Sequence, residues 1–152
     1  MIILVINCGS SSIKYQLLDM KNDDVYDVLA KGLVEKIGLE TGCLQHTATG
    51  KDKYVIDLPI PDHKVGMKLV LDALTDADHG VLKSLDDIEA VGHRIVHGGE
   101  YFSSSALVNE DVMKKIEICC DFAPLHNPAH LLGIRAVQAV LPSVPQVVTF
   151  DT

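Results

Sequence analysis

Apolar positions along the chain recur with two different periods. From Met1 to Leu58 they run in short blocks or alternate with polar residues, the signature of strands. Ile2 to Ile6 and Ile13 to Asp19 read as two strands joined through Asn7-Cys8-Gly9-Ser10-Ser11-Ser12. Val25 to Leu33 and Cys43 to Thr49 read as a third and a fourth. Gly50-Lys51-Asp52 turns the chain into Lys53 to Leu58, where Tyr54, Ile56 and Leu58 alternate. The opening third is therefore predicted to be an antiparallel meander.

Beyond Pro61 the period changes. Met67, Val70, Leu71 and Leu74 share one face of a helix predicted from His63 to Leu74, with Asp62 as its N-cap. Ile88 to Val96 is a further strand. Asn109-Glu110-Asp111 suits a helix start, with Val112, Ile116 and Cys119 inward. Asn127 and Pro128 open another helix to Val140, with Leu132, Ala136 and Val140 as its apolar stripe, and Gln146 to Phe150 is a last strand. Strands first, then strand and helix in alternation, predict an α/β fold with a mixed sheet and helices on its faces. A Rossmann unit would need crossover helices earlier.

Composition narrows the function classes. The chain has 152 residues, 47% of them hydrophobic and 22% charged, which suits one globular domain. A formal net charge of −8, with scattered Lys and Arg, disfavours nucleic acid as a partner. No apolar run reaches the roughly 20 residues a membrane helix needs. Met1 to Ile6 lacks the basic flank of a signal peptide, so no membrane association and a cytoplasmic location are expected. Cys8, Cys43, Cys119 and Cys120 form no CxxC pair, and reduced thiols are expected.

Four stretches carry candidate chemistry. Asn7 to Lys14 is rich in small residues whose amides and hydroxyls suit phosphate oxygens, with Lys14 adding charge; an ordinary polar turn has the same composition, and no Walker motif is present. Gly92-His93-Arg94-Ile95-Val96-His97-Gly98-Gly99 sets one Arg and two His between glycines at a strand end. The Arg fork fits a carboxylate or phosphoryl group. Taken singly, a surface Arg and a core His are the default there, and zinc on His93 and His97 is disfavoured by the cation between them. His126 precedes a helix N-terminus, where anions are favoured but solvated loop histidines are common. Asp151 follows a strand, where a carboxylate holds Mg2+ through water or orients a ligand, though any strand-ending Asp looks alike.

Together these stretches resemble the acetate kinase family of the actin, sugar kinase and chaperone ATPase superfamily. The resemblance runs from Leu4-Val5-Ile6-Asn7 to Phe150-Asp151-Thr152. It implies a ribonuclease-H-like domain and transfer of the γ-phosphoryl of ATP to acetate, giving acetyl phosphate and ADP, and the reverse. By that resemblance Arg94 holds the carboxylate, His126 donates to the phosphoryl oxygens, and Asp151 orients the metal or the Arg. Asn7 lies near the phosphates and Mg2+, Ser10, Ser12 and Lys14 shape the phosphate loop, and Val96 and Leu125 line the acyl pocket beside Arg94. The family's chains are more than twice this long. Residues 1–152 are therefore expected to form an acceptor and phosphate domain that is incomplete, inactive alone, and lacking the nucleotide-binding domain and most of the interface through which the full-length protein forms a homodimer. Propionate or butyrate kinase, a silent carboxylate- or phosphate-binding module, and a chaperone-like ATPase are the alternatives.

Overall fold

The computed structural model describes residues 1–21, 25–95, 105–107 and 127–150. Five antiparallel strands come first: β1 (Ile2–Gly9), β2 (Ser12–Met20), β3 (Tyr26–Glu35), β4 (Gly42–Ala48) and β5 (Tyr54–Leu58). Helix α1 (His63–Thr75) and a short 3-10 turn (Leu85–Asp87) lead to β6 (Ala90–Ile95), β7 (Ser105–Leu107), α2 (Asn127–Val140) and β8 (Gln146–Phe150). All eight strands belong to one sheet in the order β5-β4-β3-β2-β1-β6-β8-β7. β1, β6 and β8 are parallel to one another, and β7 adds an antiparallel edge. The sheet is thus mixed, as the order of periods predicts. β7 has no counterpart in the sequence pattern, because three residues carry too little periodicity.

Alternation fixes the two faces. Leu4, Ile6 and Cys8 of β1, Ile13, Tyr15 and Leu17 of β2, Val34 of β3 and Leu44 of β4 are buried together. Cys8, Ile13, Val34 and Leu44 form one continuous row across four strands. Both described helices lie over that row. Gly66 of α1 sits against Ile13 and Val34, and Gly133 of α2 sits against Cys8. In β3 the pairing steps from Leu17↔Ala30 to Leu18↔Val28, so Leu29 is skipped and both Leu17 and Leu18 are buried.

Helix α1 matches its expected face, with Met67, Val70, Leu71 and Leu74 in the core and Asp62 accepting from the Val65 amide at 2.9 Å. Helix α2 departs from its expected stripe. Ala129, Gly133, Ile134, Ala136 and Val137 are buried, whereas Leu132 is 50% exposed and Val140 only half-buried. The buried face follows small residues because α2 crosses close to α1 and β1. A Cβ on Gly133 would overlap Cys8 Sγ, so bulk on this face is excluded. The helix expected from Asn109 lies outside the described residues.

Candidate active site at the strand ends

Ligands of open α/β sheets bind beyond the carboxyl ends of parallel strands, where side chains and free amides face outward together. Here those ends belong to β1, β6 and β8. Val5 pairs with Gly92 and Ile6 with His93, so the next step along both strands brings Asn7 level with Arg94. Arg94 pairs in turn with Thr149, and Ile95 with Phe150, the residue before Asp151. Two candidates 87 positions apart in sequence therefore follow directly on the last paired rung of β1 and β6. The side chain of Asn7 is exposed. Arg94 is described by its backbone position, while Val96, Leu125, His126 and Asp151 lie outside the described residues. His126 immediately precedes α2, which enters from the same end of the sheet, since β8 after it runs parallel to β6.

The phosphate loop differs from expectation. Asn7 pairs with Lys14 of the expected second strand and Gly9 with Ser12, so Asn7, Cys8, Gly9 and Ser12 are strand residues and only Ser10 and Ser11 form the turn. Asn, Gly and Ser are turn formers by composition, which points to a six-residue loop, yet ladder pairing with apolar neighbours extends both strands. Ser10 is exposed, Ser12 is half-buried and Lys14 is exposed. A Cβ on Gly9 would stand 2.6 Å from Ser12 Oγ, so glycine there leaves room for the hydroxyl across the ladder.

Lys14 also borders a shallow pocket of about 220 Å3 on the sheet face opposite the helices, shared with Gln16, Lys31, Gln45, Thr47 and Lys53. It lies on the meander and not at the strand ends.

Three histidines and a cysteine surround the hairpin. His93 and Gln146 are buried, with His93 Nε2 2.5 Å from Gln146 Oε1, which makes His93 a core residue supporting β6 against β8. Burial pushes the Cys8 thiol up to about 12, so it remains protonated and is no nucleophile at neutral pH. His63, the first residue of α1, places Nε2 2.8 Å from the Gly9 carbonyl. Farther along the meander, Tyr15 Oη lies 2.5 Å from His46 Nδ1, and His46 Nε2 lies 3.1 Å from the His79 carbonyl. Nothing local in the sequence distinguishes His63 from any first residue of a helix. Among the described residues no three His, Cys, Asp or Glu side chains cluster to hold a metal ion. No described helix is long and apolar enough to cross a membrane.

Residues 2–152 match the acetokinase family. Acetate kinase 2 of Clostridium perfringens (strain 13 / Type A) is 59% identical over 150 residues, which cover 99% of this chain and 37% of that protein. The crystal structure of Porphyromonas gingivalis acetate kinase superposes with a TM-score of 0.94 at 46% identity, covering 99% of this chain and 37% of that one. A propionate kinase from Francisella tularensis subsp. tularensis SCHU S4 superposes with a TM-score of 0.85 at 42% identity, covering 99% and 36%. The chain thus spans little more than a third of the length of these relatives.

Proposed function

Because the chain belongs to the acetokinase family and carries its actin-like ATPase fold, we propose that residues 1–152 form the acceptor and phosphate side of an acetate kinase. The observation that carries this reading is the parallel pairing of Ile6 with His93, which leaves Asn7 and Arg94 as the next residues of adjacent strands, beside the Ser10–Ser11 turn.

In this reading the reaction moves a phosphoryl group in line. A bond forms between an acetate oxygen and Pγ as the bond from Pγ to the leaving oxygen of ADP breaks. Little covalent work falls to the protein, so positioning and charge dominate. Arg94 holds the acetate carboxylate through its planar fork and keeps one oxygen directed at phosphorus. His126, at the start of α2, donates to phosphoryl oxygens whose charge the helix N-terminus also favours. Asn7 and the Ser10–Ser11 turn meet the phosphates, with Ser12 and Lys14 shaping the hairpin, and Asp151 orients Arg94 or the water shell of the metal. Mg2+, when bound with the nucleotide, would supply neutralisation of phosphate charge. Asn7 and Asp151 would be the residues to hold it, since Mg2+ in phosphate sites takes only one or two protein oxygens. Val96 and Leu125 bound the methyl end of the acid. One methylene there is worth about 1–3 kcal/mol, so propionate competes with acetate as acceptor.

The test uses a chimera in which this chain replaces the corresponding segment of Clostridium perfringens acetate kinase 2. Acetate, Mg2+ and ATP are supplied, and hydroxylamine traps the acyl phosphate. The chimera is expected to yield acetyl hydroxamate and the 152-residue chain alone to yield none. A folded chimera without product, beside an active parent, overturns the assignment, and kcat/KM on acetate, propionate and butyrate ranks the acids.

A further inference from the structure

The β1–β2 hairpin is built against its own turn preference. Two-residue hairpin turns normally take primed types, which need positive φ and match the twist of the strands. Among the described residues, positive φ occurs only at Lys36, Gly38 and Gly50, so neither Ser10 nor Ser11 supplies it. A turn of this kind splays its strands unless something outside holds it.

Two contacts do so. His63 Nε2 lies 2.8 Å from the Gly9 carbonyl, and the Ile37 amide donates to the Ser11 carbonyl at 3.0 Å. Carbonyls on both sides of Ser10 are thereby tethered, one to α1 and the other to the turn after β3. The His63 contact has a definite chemistry. A carbonyl oxygen only accepts, so Nε2 carries the proton and donates. His63 as a residue is 6% exposed, which limits the access of water to this bond. Its base is rigid as well: Asp62 caps α1, and a Cβ on Gly66 would lie 3.1 Å from Ile13 Cδ1, so the helix rests directly on the strand that leaves the turn.

We infer that His63 is a positioning residue for phosphoryl transfer, whose Nε2–H fixes the Gly9 carbonyl and so sets the Ser10–Ser11 turn against the phosphates. This rests on the kinase reading above. His63 touches no reacting atom; it acts through the hairpin backbone. An apolar ring would fill the same space without directing the carbonyl, which is the reason for a histidine at this place.

The test compares His63→Leu, which keeps apolar bulk without the donor, with His63→Gln, whose amide nitrogen restores a donor at similar reach. In the 152-residue chain, amide exchange from Ser10 to Ile13 is expected to quicken about tenfold in His63→Leu, against unchanged rates elsewhere in β1 and β2, and to stay near wild type in His63→Gln. In the chimera, kcat for acyl phosphate formation is expected to fall about 10- to 100-fold in His63→Leu at an unchanged Tm, and to recover to within about threefold in His63→Gln. Should His63→Leu not fold, His63→Asn, polar but too short to reach Gly9, takes its place. Equal kcat in all variants, or a uniform rise of exchange across the whole sheet with no rescue by Gln, overturns the inference. If the wild-type chimera makes no acyl phosphate, the kinase reading and the catalytic role fall together, while the exchange comparison still decides whether the tether exists.

Discussion

Tyr15 and His46 show how single residues set the stability of the meander. Tyr15, Gly32, His46 and Tyr54 occupy one row across β2 to β5. Tyr15 reaches His46 by lying over Gly32, where an added Cβ would overlap the phenol ring and stand 2.5 Å from the Gln45 carbonyl. Gly32→Ala has no flexible neighbour to displace and is expected to cost about 3 kcal/mol in urea unfolding. His46 is fully buried, and its Nε2 faces the His79 carbonyl, so Nε2 carries the proton and Nδ1 accepts from the Tyr15 hydroxyl. Burial pushes the Tyr15 hydroxyl pKa up, which keeps that donor intact. Tyr15→Phe leaves Nδ1 buried without its donor and is expected to destabilise by about 1–3 kcal/mol. Burial also lowers the His46 pKa below its ordinary 6.5. The unfolded chain then binds a proton before the folded one does. The stabilising contribution is complete above about pH 6.5 and is lost as pH falls from there through the folded value. Thermal melts between pH 7.5 and 5 are expected to show a declining Tm that flattens in His46→Gln; an identical slope in that variant would exclude His46 as its source.

At the scale of elements, the two described helices are fixed by different means. α1 combines a capped start with a four-residue apolar face, so it was readable in advance. Asp62→Ala removes the acceptor for the Val65 amide and is expected to cost about 1 kcal/mol in denaturant unfolding, with helix content retained. α2 presents small residues to its neighbours. Gly133→Ala is expected to destabilise by about 1–3 kcal/mol through its collision with Cys8, and Cys8→Ala in the same chain is expected to recover most of that loss. Recovery measured in that double variant separates a local clash from loss of glycine flexibility, which Cys8→Ala could not repair.

At the scale of the whole molecule, the candidate site and the Tyr15–His46 row occupy neighbouring rungs but opposite faces of the sheet, since Tyr15 pairs with Ile6 one step from Asn7↔Lys14 and is buried where Asn7 and Lys14 are exposed. Parallel strands β1, β6 and β8 end together near the candidate site, whereas the Tyr15–His46 row binds the meander and the loop at His79. Changes in that row are therefore expected to move Tm more than turnover. Arg94→Ala in the chimera is expected to lower kcat by about 10²–10³-fold at an unchanged Tm. Arg94→Lys should recover little, since a point charge cannot reproduce a two-pronged grip on a carboxylate. Acetyl hydroxamate yield and calorimetric Tm on the same preparations check both statements.

The sequence by itself determined the order and type of most elements, because alternation and helical spacing are local properties of a chain that must bury one face of each. It also marked Asn7, Arg94, His126 and Asp151, whose residue types suit a short acid and a phosphate, and the motifs that place the chain in its family. Only the tertiary structure decided that Asn7 and Arg94 come level on adjacent strands, since parallel pairing joins strands separated by the whole meander and α1. Packing against α1 and β1 turned small residues of α2 inward and left Leu132 outside, against its hydrophobicity. The same crossing of distant segments brought His63 under Gly9. Contacts of this kind arise from how elements stack, and no local pattern of residues encodes them.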